Sequence, residues 1–181
     1  MDKAAASYRR YLEGDRDALN EVMEELFFPL IFFVNRYVRD VPTAEDLAMD
    51  AVTELLLHPR RYDFRVSLKT YLFLLGKSKA LSWLRRQRRR GEEPLSEELS
   101  ADEQELEERV LADQRSLVLN AALERLPQEQ RMAIHLVYFE ELSYEETGKI
   151  MKKSRKQVDN LLYQAKKQLR IILGEEGRTL L

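Results

Sequence analysis

The chain of 181 residues lacks cysteine entirely and has no apolar run long enough to cross a membrane. Without cysteine there can be no disulfide, no thiolate metal site and no thiol nucleophile. The longest apolar run, residues 26–34, is about half a membrane span and contains Pro29. The first fifteen residues are charged and polar, unlike a secretory signal. We therefore expect a cytoplasmic protein that is not inserted in a membrane.

The residue types that usually form catalytic sites are sparse or scattered. The only two histidines, His58 and His135, are far apart and have no cysteine partners. No glycine-rich loop that could cradle a phosphate is present. Carboxylates are abundant but show no paired arrangement that would indicate acid–base catalysis. We expect no enzymatic activity, no metal and no cofactor, and we expect His135, in an apolar segment, to be partly buried.

Glycine and proline are also scarce, at six and five residues. No segment shows the alternation of apolar and polar residues that is typical of a strand. The sequence predicts an all-α fold of two small helical domains joined by an acidic flexible linker. The expected boundaries are 1–90 for the first domain, 91–115 for the linker, partly helical at its C-terminal end, 116–174 for the second domain and 175–181 for a tail.

Charge is strongly segregated, although the formal net charge is only −2. Residues 85–90 hold five arginines, residues 91–108 hold nine acids and no base, and residues 152–170 hold seven bases against one acid. Two basic blocks around an acidic tether indicate two modules that bind polyanions. Solvated helix faces around a disordered spacer would produce the same pattern, so charge alone leaves both interpretations open.

In the first half, helical periodicity begins after a cap at Asp15 or Asp17 and continues past Pro29 to about Val38. Thr43 is expected to cap the next helix, with Asp46 at its third position. A loop is expected over residues 60–67, and a further helix over residues 68–88.

The second half contains two capping signatures eleven residues apart, Ser143 with Glu146 and Ser154 with Gln157. Between them, Gly148 would allow two helices to approach closely. The second of these helices has one apolar stripe, formed by Val158, Leu161, Leu162, Ala165, Leu169 and Ile172. Its other faces are basic and polar. This pattern is typical of a DNA-binding helix-turn-helix, and the alternative is an amphipathic hairpin with a solvated basic face.

Three segments in this order resemble the bacterial RNA polymerase sigma factors of the sigma-70 family, extracytoplasmic-function (ECF) class. TAEDLAMDAV at residues 43–52 resembles the core-binding helix of region 2, and SWLRRQRRR at residues 82–90 resembles the end of the promoter-melting domain. LPQEQRMAIHLVYFEELSYEETGKIM, at residues 126–151, resembles the start of region 4. The chain departs from the family at Ser78, Ser82, Asp159 and Lys152, the last replacing a common glycine.

The resemblance implies three contact surfaces. The surface for core polymerase would comprise Glu45, Asp46, Leu47 and Asp50, although acids here could simply favour a helix N-terminus through its dipole. The surface for the −10 element, with phosphates and a flipped base, would comprise Phe64, Arg65, Ser67, Lys69, Lys77, Lys79, Arg85, Arg86, Arg88 and Arg89. Trp83 and Tyr71 could add a stacking surface, but the spacing of Trp83 favours a core position.

The surface for the −35 element would lie on the last predicted helix. It would comprise Ser154, Arg155, Lys156, Gln157, Asn160, Tyr163, Lys166 and Lys167, with the earlier positions nearer the bases. The resemblance further implies binding to the clamp and flap of core RNA polymerase and to promoter DNA, and control by an anti-sigma factor. The alternative function is a stand-alone helix-turn-helix transcription regulator that binds palindromic duplex DNA without polymerase.

Overall fold

The computed structural model describes residues 2–91 and 114–174, with the side chains of residues 114–118 left out. In these ranges the chain forms eight α-helices and no strand, as the sequence predicts. The helices belong to two compact units. We call residues 2–91 the N-terminal domain and residues 114–174 the C-terminal domain.

The N-terminal domain is a bundle of four helices: α1 (Lys3–Leu12), α2 (Ala18–Val38), α3 (Val41–Leu57) and α4 (Leu68–Arg90). A 3-10 turn at Pro59–Arg61 follows α3. Helix α2 packs against each of the other three, because it is apolar on most of its circumference. In the core, the rings of Phe33 and Phe73 stack with centroids 4.5 Å apart. Pro29 lies inside α2 without ending it.

The predicted cap of α3 is wrong, and α1 was not predicted. The break between α2 and α3 falls at Arg39, which adopts a left-handed conformation, and Asp40 rather than Thr43 caps α3. The Asp40 carboxylate accepts a hydrogen bond from the backbone N–H of Thr43 at 3.0 Å. Aspartate is at least as good a cap as threonine. With Asp40 as the cap, Pro42 lies in the first turn of α3, where proline is well tolerated.

Helix α1 is a whole helix that was not predicted from the sequence. The helix is short, and its only large apolar or aromatic side chains are those of Tyr8, Tyr11 and Leu12. The Asp2 carboxylate caps it by accepting from the backbone N–H of Ala5 at 3.1 Å. Tyr8 anchors it, being completely buried and donating its O–H to the backbone carbonyl of Leu55 at 3.1 Å.

The C-terminal domain contains α5 (Gln114–Glu124), α6 (Gln128–Ile134), α7 (Tyr144–Met151) and α8 (Arg155–Leu173). Helix α6 runs directly into a π-helical turn, His135–Phe139. Helix α8 packs against the other three helices. The predicted stripe on α8 is confirmed as its core face, with Val158, Leu162, Ala165 and Leu169 buried and Leu161 and Ile172 partly buried.

Both predicted capping boxes are formed, one at the start of α7 and one at the start of α8. Between the two helices, Lys152 adopts the left-handed conformation with φ 57° and ψ 46°. A Cβ atom at Gly148 would lie 2.6 Å from the backbone oxygen of Lys153. Gly148 is therefore required by the turn itself, and not by a contact between two helices as predicted.

Several predictions fall outside the described residues, namely nearly all of the predicted linker 91–115 and the tail 175–181. Helix α5 already includes Gln114, the last part of that predicted linker. Within the two described ranges, no helix is both long and apolar enough to span a bilayer.

Candidate nucleic-acid and protein interfaces

Helix α3 presents acids to solvent on its outer face. Glu45, Asp46 and Asp50 are exposed, and Met49 beside them is 46% exposed. Leu47 differs from the other predicted members of this surface, because it is buried in the domain core at 5% exposure. It can support the surface from beneath, but it offers little area for a direct contact.

The observed start of α3 determines whether the helix dipole can explain Glu45 and Asp46. Because Asp40 is the cap, the first turn of α3 contains no acid, and Glu45 and Asp46 lie in the second turn. The effect of a helix dipole on a charge falls off within the first turn. The dipole therefore does not explain these acids, and the alternative noted from the sequence loses its physical basis.

The loop before α4 is built around aromatic rings. Tyr62 is buried and donates its O–H to the backbone carbonyl of Val66 at 2.9 Å. The Phe64 ring lies 4.5 Å from that of Tyr62 and 6.4 Å from that of Tyr8. Phe64 has a positive φ of 61°, which is rare and costly for a residue with a bulky side chain. The ring cluster holds the loop in this conformation.

The same cluster shifts the titration of its tyrosines. Burial raises the pKa of Tyr8 to about 12, with smaller contributions from Tyr11 and Tyr71. Burial also raises the pKa of Tyr62, and that of Tyr71. The predicted stacking residue Tyr71 is thus part of this cluster, with its ring 5.0 Å from that of Tyr62.

The remaining predicted residues of this loop have distinct local roles. Ser67 caps α4 by accepting from the backbone N–H of Thr70 at 3.1 Å. Lys69 lies with its Nζ 6.0 Å from the centre of the Phe73 ring. Arg65 is exposed, and its Nε lies 3.3 Å from a carboxylate oxygen of Asp63.

Along α4, the predicted basic surface divides into two parts. Near its middle, Lys77 and Lys79 are partly buried. Nζ of Lys79 lies 2.5 Å from Oε2 of Glu54 on α3, and this hydrogen bond lowers the pKa of Glu54. Lys79 is therefore engaged within the domain. Trp83 is partly buried and is not one of the fully buried core residues.

The end of α4 is the fully exposed part of this surface. Arg85 donates a hydrogen bond from its guanidinium to Oγ of Ser82 at 3.0 Å. The arginines exposed over the last two turns are Arg85, Arg86, Arg88, Arg89 and Arg90. Such a run of cations along one helix end suits a phosphate backbone.

Helix α8 exposes the side chains predicted for a recognition helix. Those exposed are Ser154, Arg155, Lys156, Gln157, Asn160, Tyr163 and Lys167, and Lys166 is partly buried. Tyr163 is 67% exposed, although an aromatic ring is normally covered. The face opposite the buried stripe therefore holds cations, amides and one ring in the first three turns.

Two residues of that face are partly used by the fold. The side-chain oxygen of Gln157 accepts from the backbone N–H of Ser154 at 2.8 Å, and Ser154 Oγ accepts from the backbone N–H of Gln157 at 3.3 Å. The Gln157 amide nitrogen remains as its donor. A bidentate contact with adenine would need the oxygen as well, so Asn160 is better placed than Gln157 to make one.

Three cations on or near α8 make contacts within the C-terminal domain, two with acids and one with an aromatic ring. Nε of Arg155 lies 3.2 Å from Oε1 of Glu145 at the start of α7. Nζ of Lys153 lies 2.8 Å from Oε1 of Glu129. Lys166 lies with its Nζ 4.8 Å from the centre of the half-exposed Tyr138 ring. Lys156 and Lys167, which are both exposed, carry no such contact among the described residues.

Comparison with known proteins identifies the family. The family model "Sigma-70 region 2" matches residues 29–90, and "Sigma-70, region 4" matches residues 116–169. RNA polymerase sigma factor YlaC of Bacillus subtilis is 25% identical over 158 residues, covering 86% of this chain and 91% of YlaC. ECF RNA polymerase sigma factor SigM of the same organism is 24% identical, covering 85% and 94%. The chain belongs to the sigma-70 family, in the ECF class.

Two solved structures share the fold of this sigma factor. RpoE of Bartonella quintana, in complex with the anti-sigma factor NepR, has a TM-score of 0.66 at 20% identity, covering 87% of this chain and 97% of RpoE. CnrH, in complex with the cytosolic domain of CnrY, has a TM-score of 0.65 at 16% identity, covering 96% and 97%.

Arg9 and Tyr8 of this sigma factor lie beside the predicted −10 loop and were not among the predicted site residues. The spacing of Ala4, Tyr8 and Leu12 at every fourth residue was a usable signal for α1. His135 is more deeply buried than predicted, and its Nε2 lies 3.4 Å from Oε1 of Glu140. Among the described residues, no group of three or more potential ligands could hold a metal ion.

Proposed function

We propose that this sigma factor binds core RNA polymerase and directs it to promoters through two DNA contacts, one in each domain. The observation that carries the proposal is the match to regions 2 and 4, in that order, by two domains that each expose most of the expected side chains. Catalysis belongs to the polymerase, and this chain contributes recognition. We place its action in the cytoplasm, where polymerase and promoter DNA are found.

The acidic face of α3 is the proposed surface for the polymerase clamp. Glu45, Asp46 and Asp50 are exposed and have no role at the helix N-terminus, and Met49 adds an apolar contact beside them. Complementary charge would steer the encounter and set the register, while the apolar contact would favour retention. We assign the second contact, with the polymerase flap, to the C-terminal domain.

The −10 element is assigned to the loop around Phe64 and to the basic end of α4. Opening a duplex requires a surface that captures unstacked bases and cations that follow the phosphates. Phe64 and Arg65 provide a ring and a charge in the loop, and Ser67 and Lys69 flank them. The exposed arginines at residues 85–90 extend the cationic path along α4. Lys79 contributes less, because it is bound to Glu54.

The −35 element is assigned to the exposed face of α8. A recognition helix contacts base edges with its N-terminal residues and phosphates with its later ones. Lys156 and Asn160 would reach the bases, with Tyr163 at the groove edge, and Lys166 and Lys167 would contact the backbone. Arg155 would exchange its contact with Glu145 for a phosphate or a guanine.

We further propose that an anti-sigma factor controls this protein by covering the two surfaces. The support is that RpoE, which shares its fold, was solved in complex with the anti-sigma factor NepR. An anti-sigma factor with a basic patch would suit the acidic face of α3.

Retention of purified bacterial core polymerase on the immobilised full-length chain tests the proposal. We expect the wild-type chain to retain the polymerase and Asp46→Arg to lose most of that retention. Glu24→Arg is the matched control, because Glu24 is an exposed acid on α2 outside the proposed surface and the charge change is identical. No retention, together with tight binding of palindromic duplex DNA by the chain alone, would instead identify a stand-alone regulator.

A further inference from the structure

Helix α1 lies outside the residues matched by the region 2 model, which begin at residue 29, yet it is fastened to the proposed −10 loop. Tyr8 is completely buried, with its ring 6.0 Å from that of Tyr62. Asp2 accepts a hydrogen bond from the first backbone N–H of α4, at Leu68. These contacts hold α1 against both ends of the loop, so side chains exposed on α1 are held near the loop's rings.

Arg9 is the exposed α1 residue that reaches the loop. Its guanidinium carbon lies 4.7 Å from the centre of the Phe64 ring. The Phe64 ring has Tyr62 and Tyr8 on its inner side, so the guanidinium covers a face that would otherwise meet solvent. A planar cation above a ring occupies the same place as a stacked base.

We propose that Arg9 is part of the −10 site. Its guanidinium covers one face of the Phe64 ring in the free protein. When an unstacked base stacks on that face, the guanidinium moves aside and pairs with an adjacent phosphate. The ligand is single-stranded DNA, and the inference rests on the proposed function. The positive φ of Phe64 supports it, since a loop holding a bulky residue in a costly conformation presents that ring in a defined orientation.

The exchange is favourable on physical grounds. A cation above an exposed ring is weakly held, because water competes for the guanidinium. A base stacked on the same ring removes two apolar faces from water, and a phosphate beside it gives Arg9 a charged partner. Arg9 thus covers the Phe64 ring until DNA binds, and its contact with the ring is weak enough to be exchanged for the base.

A fluorescence titration with holoenzyme, assembled from core polymerase and the full-length chain, tests this exchange. The probe is a short single-stranded DNA selected from a random pool by the wild-type holoenzyme, with 2-aminopurine in place of each adenine in turn. Stacking quenches 2-aminopurine, and the salt dependence of affinity counts phosphate contacts. The variants are Arg9→Gln, Arg9→Lys and Phe64→Leu. Arg16→Gln is the control, because it removes the charge of another exposed arginine, in the segment between α1 and α2.

We expect Arg9→Gln to keep the quenching and to lower the salt slope by about 0.7, the value for one phosphate on single-stranded DNA. Arg9→Lys should restore the slope, Arg16→Gln should match the wild type, and Phe64→Leu should lose the quenching. An unchanged slope for Arg9→Gln would overturn the phosphate contact, and lost quenching would show that Arg9 merely holds the ring. Failure of the wild-type holoenzyme to select any sequence would count against the proposed function itself.

Discussion

The carboxylate of Asp2 accepts a hydrogen bond from the backbone N–H of Leu68 at 2.5 Å, across 66 positions of sequence. The other oxygen of the same carboxylate accepts from the backbone N–H of Ala5. Asp2 therefore satisfies an N–H group at the start of α1 and another at the start of α4. One side chain links a helix outside the family match to the helix that carries the proposed −10 arginines.

Replacing Asp2 by alanine should destabilise the N-terminal domain by about 1–2 kcal/mol, because two helix starts lose an acceptor. Urea unfolding followed by Trp83 fluorescence measures this, since the single tryptophan lies in that domain. Asp17→Ala is the control: Asp17 precedes α2 but makes no capping hydrogen bond. Equal losses for the two variants would show that the Asp2 contacts contribute nothing.

Alanine at Gly148 should destabilise the C-terminal domain by about 1–3 kcal/mol, because the new Cβ would meet the Lys153 backbone oxygen at 2.6 Å. Gly76→Ala offers the matched comparison. Its Cβ would meet the ends of the Leu30 and Val34 side chains, at 2.9 and 3.0 Å, and side chains can shift where backbone cannot. Calorimetry of the full chain should show a larger drop in the transition temperature of the C-terminal domain for Gly148→Ala than of the N-terminal domain for Gly76→Ala. The reverse order would contradict this account of the turn.

Glycine at Lys152 should stabilise the C-terminal domain by about 1 kcal/mol, because it removes the cost of a left-handed conformation with a side chain. Lys149→Gly, an equal change inside α7, should destabilise the domain by about 1 kcal/mol. Hydrogen exchange of the α7 and α8 amides measures both effects. A loss of protection in Lys152→Gly would mean that the lysine side chain itself stabilises the turn.

Alkaline pH should selectively destabilise the N-terminal domain. Folding raises the pKa of Tyr8 to about 12, whereas an unfolded tyrosine titrates near 10. The folded state thus holds a proton that the unfolded state releases, so this contribution is complete below about pH 10 and is lost as the pH rises toward about 12. Trp83 fluorescence against pH should show the loss. The exposed Tyr163→Phe variant should leave the profile unchanged, and an unaltered profile in Tyr8→Phe would refute the assignment.

Two residues of α8 should affect DNA binding in different ways. Lys167→Ala should weaken binding of holoenzyme to all promoter sequences and lower the salt slope by about 1, because a phosphate contact is lost. Asn160→Ala should cost about 1–3 kcal/mol at one base position and relax specificity there. Competition binding with a library of −35 variants at two salt concentrations separates them. Uniform loss for Asn160→Ala would indicate a backbone contact instead.

Local patterns allowed good prediction of the C-terminal domain. The capping boxes at Ser143 and Ser154 and the apolar stripe of α8 each depend on residues within a few positions of one another, and all are present. Helix α1 could not be predicted as readily, because it is short and its anchor, Tyr8, is held by residues distant in sequence, such as Leu55. The cap at Asp40 was missed, since Asp40 and Thr43, three positions apart, could both serve as the cap.

The sequence by itself determined the all-α fold, the helix-turn-helix with its basic face, and the family, because periodicity, caps and segregated charge are local properties. Only the tertiary structure decided which of the predicted side chains remain available to a partner. Lys79 is held by Glu54 on another helix, Leu47 is buried, and Arg9 lies over Phe64, which is 55 positions away. Such contacts depend on which helices pack together, and packing joins residues that no local pattern relates.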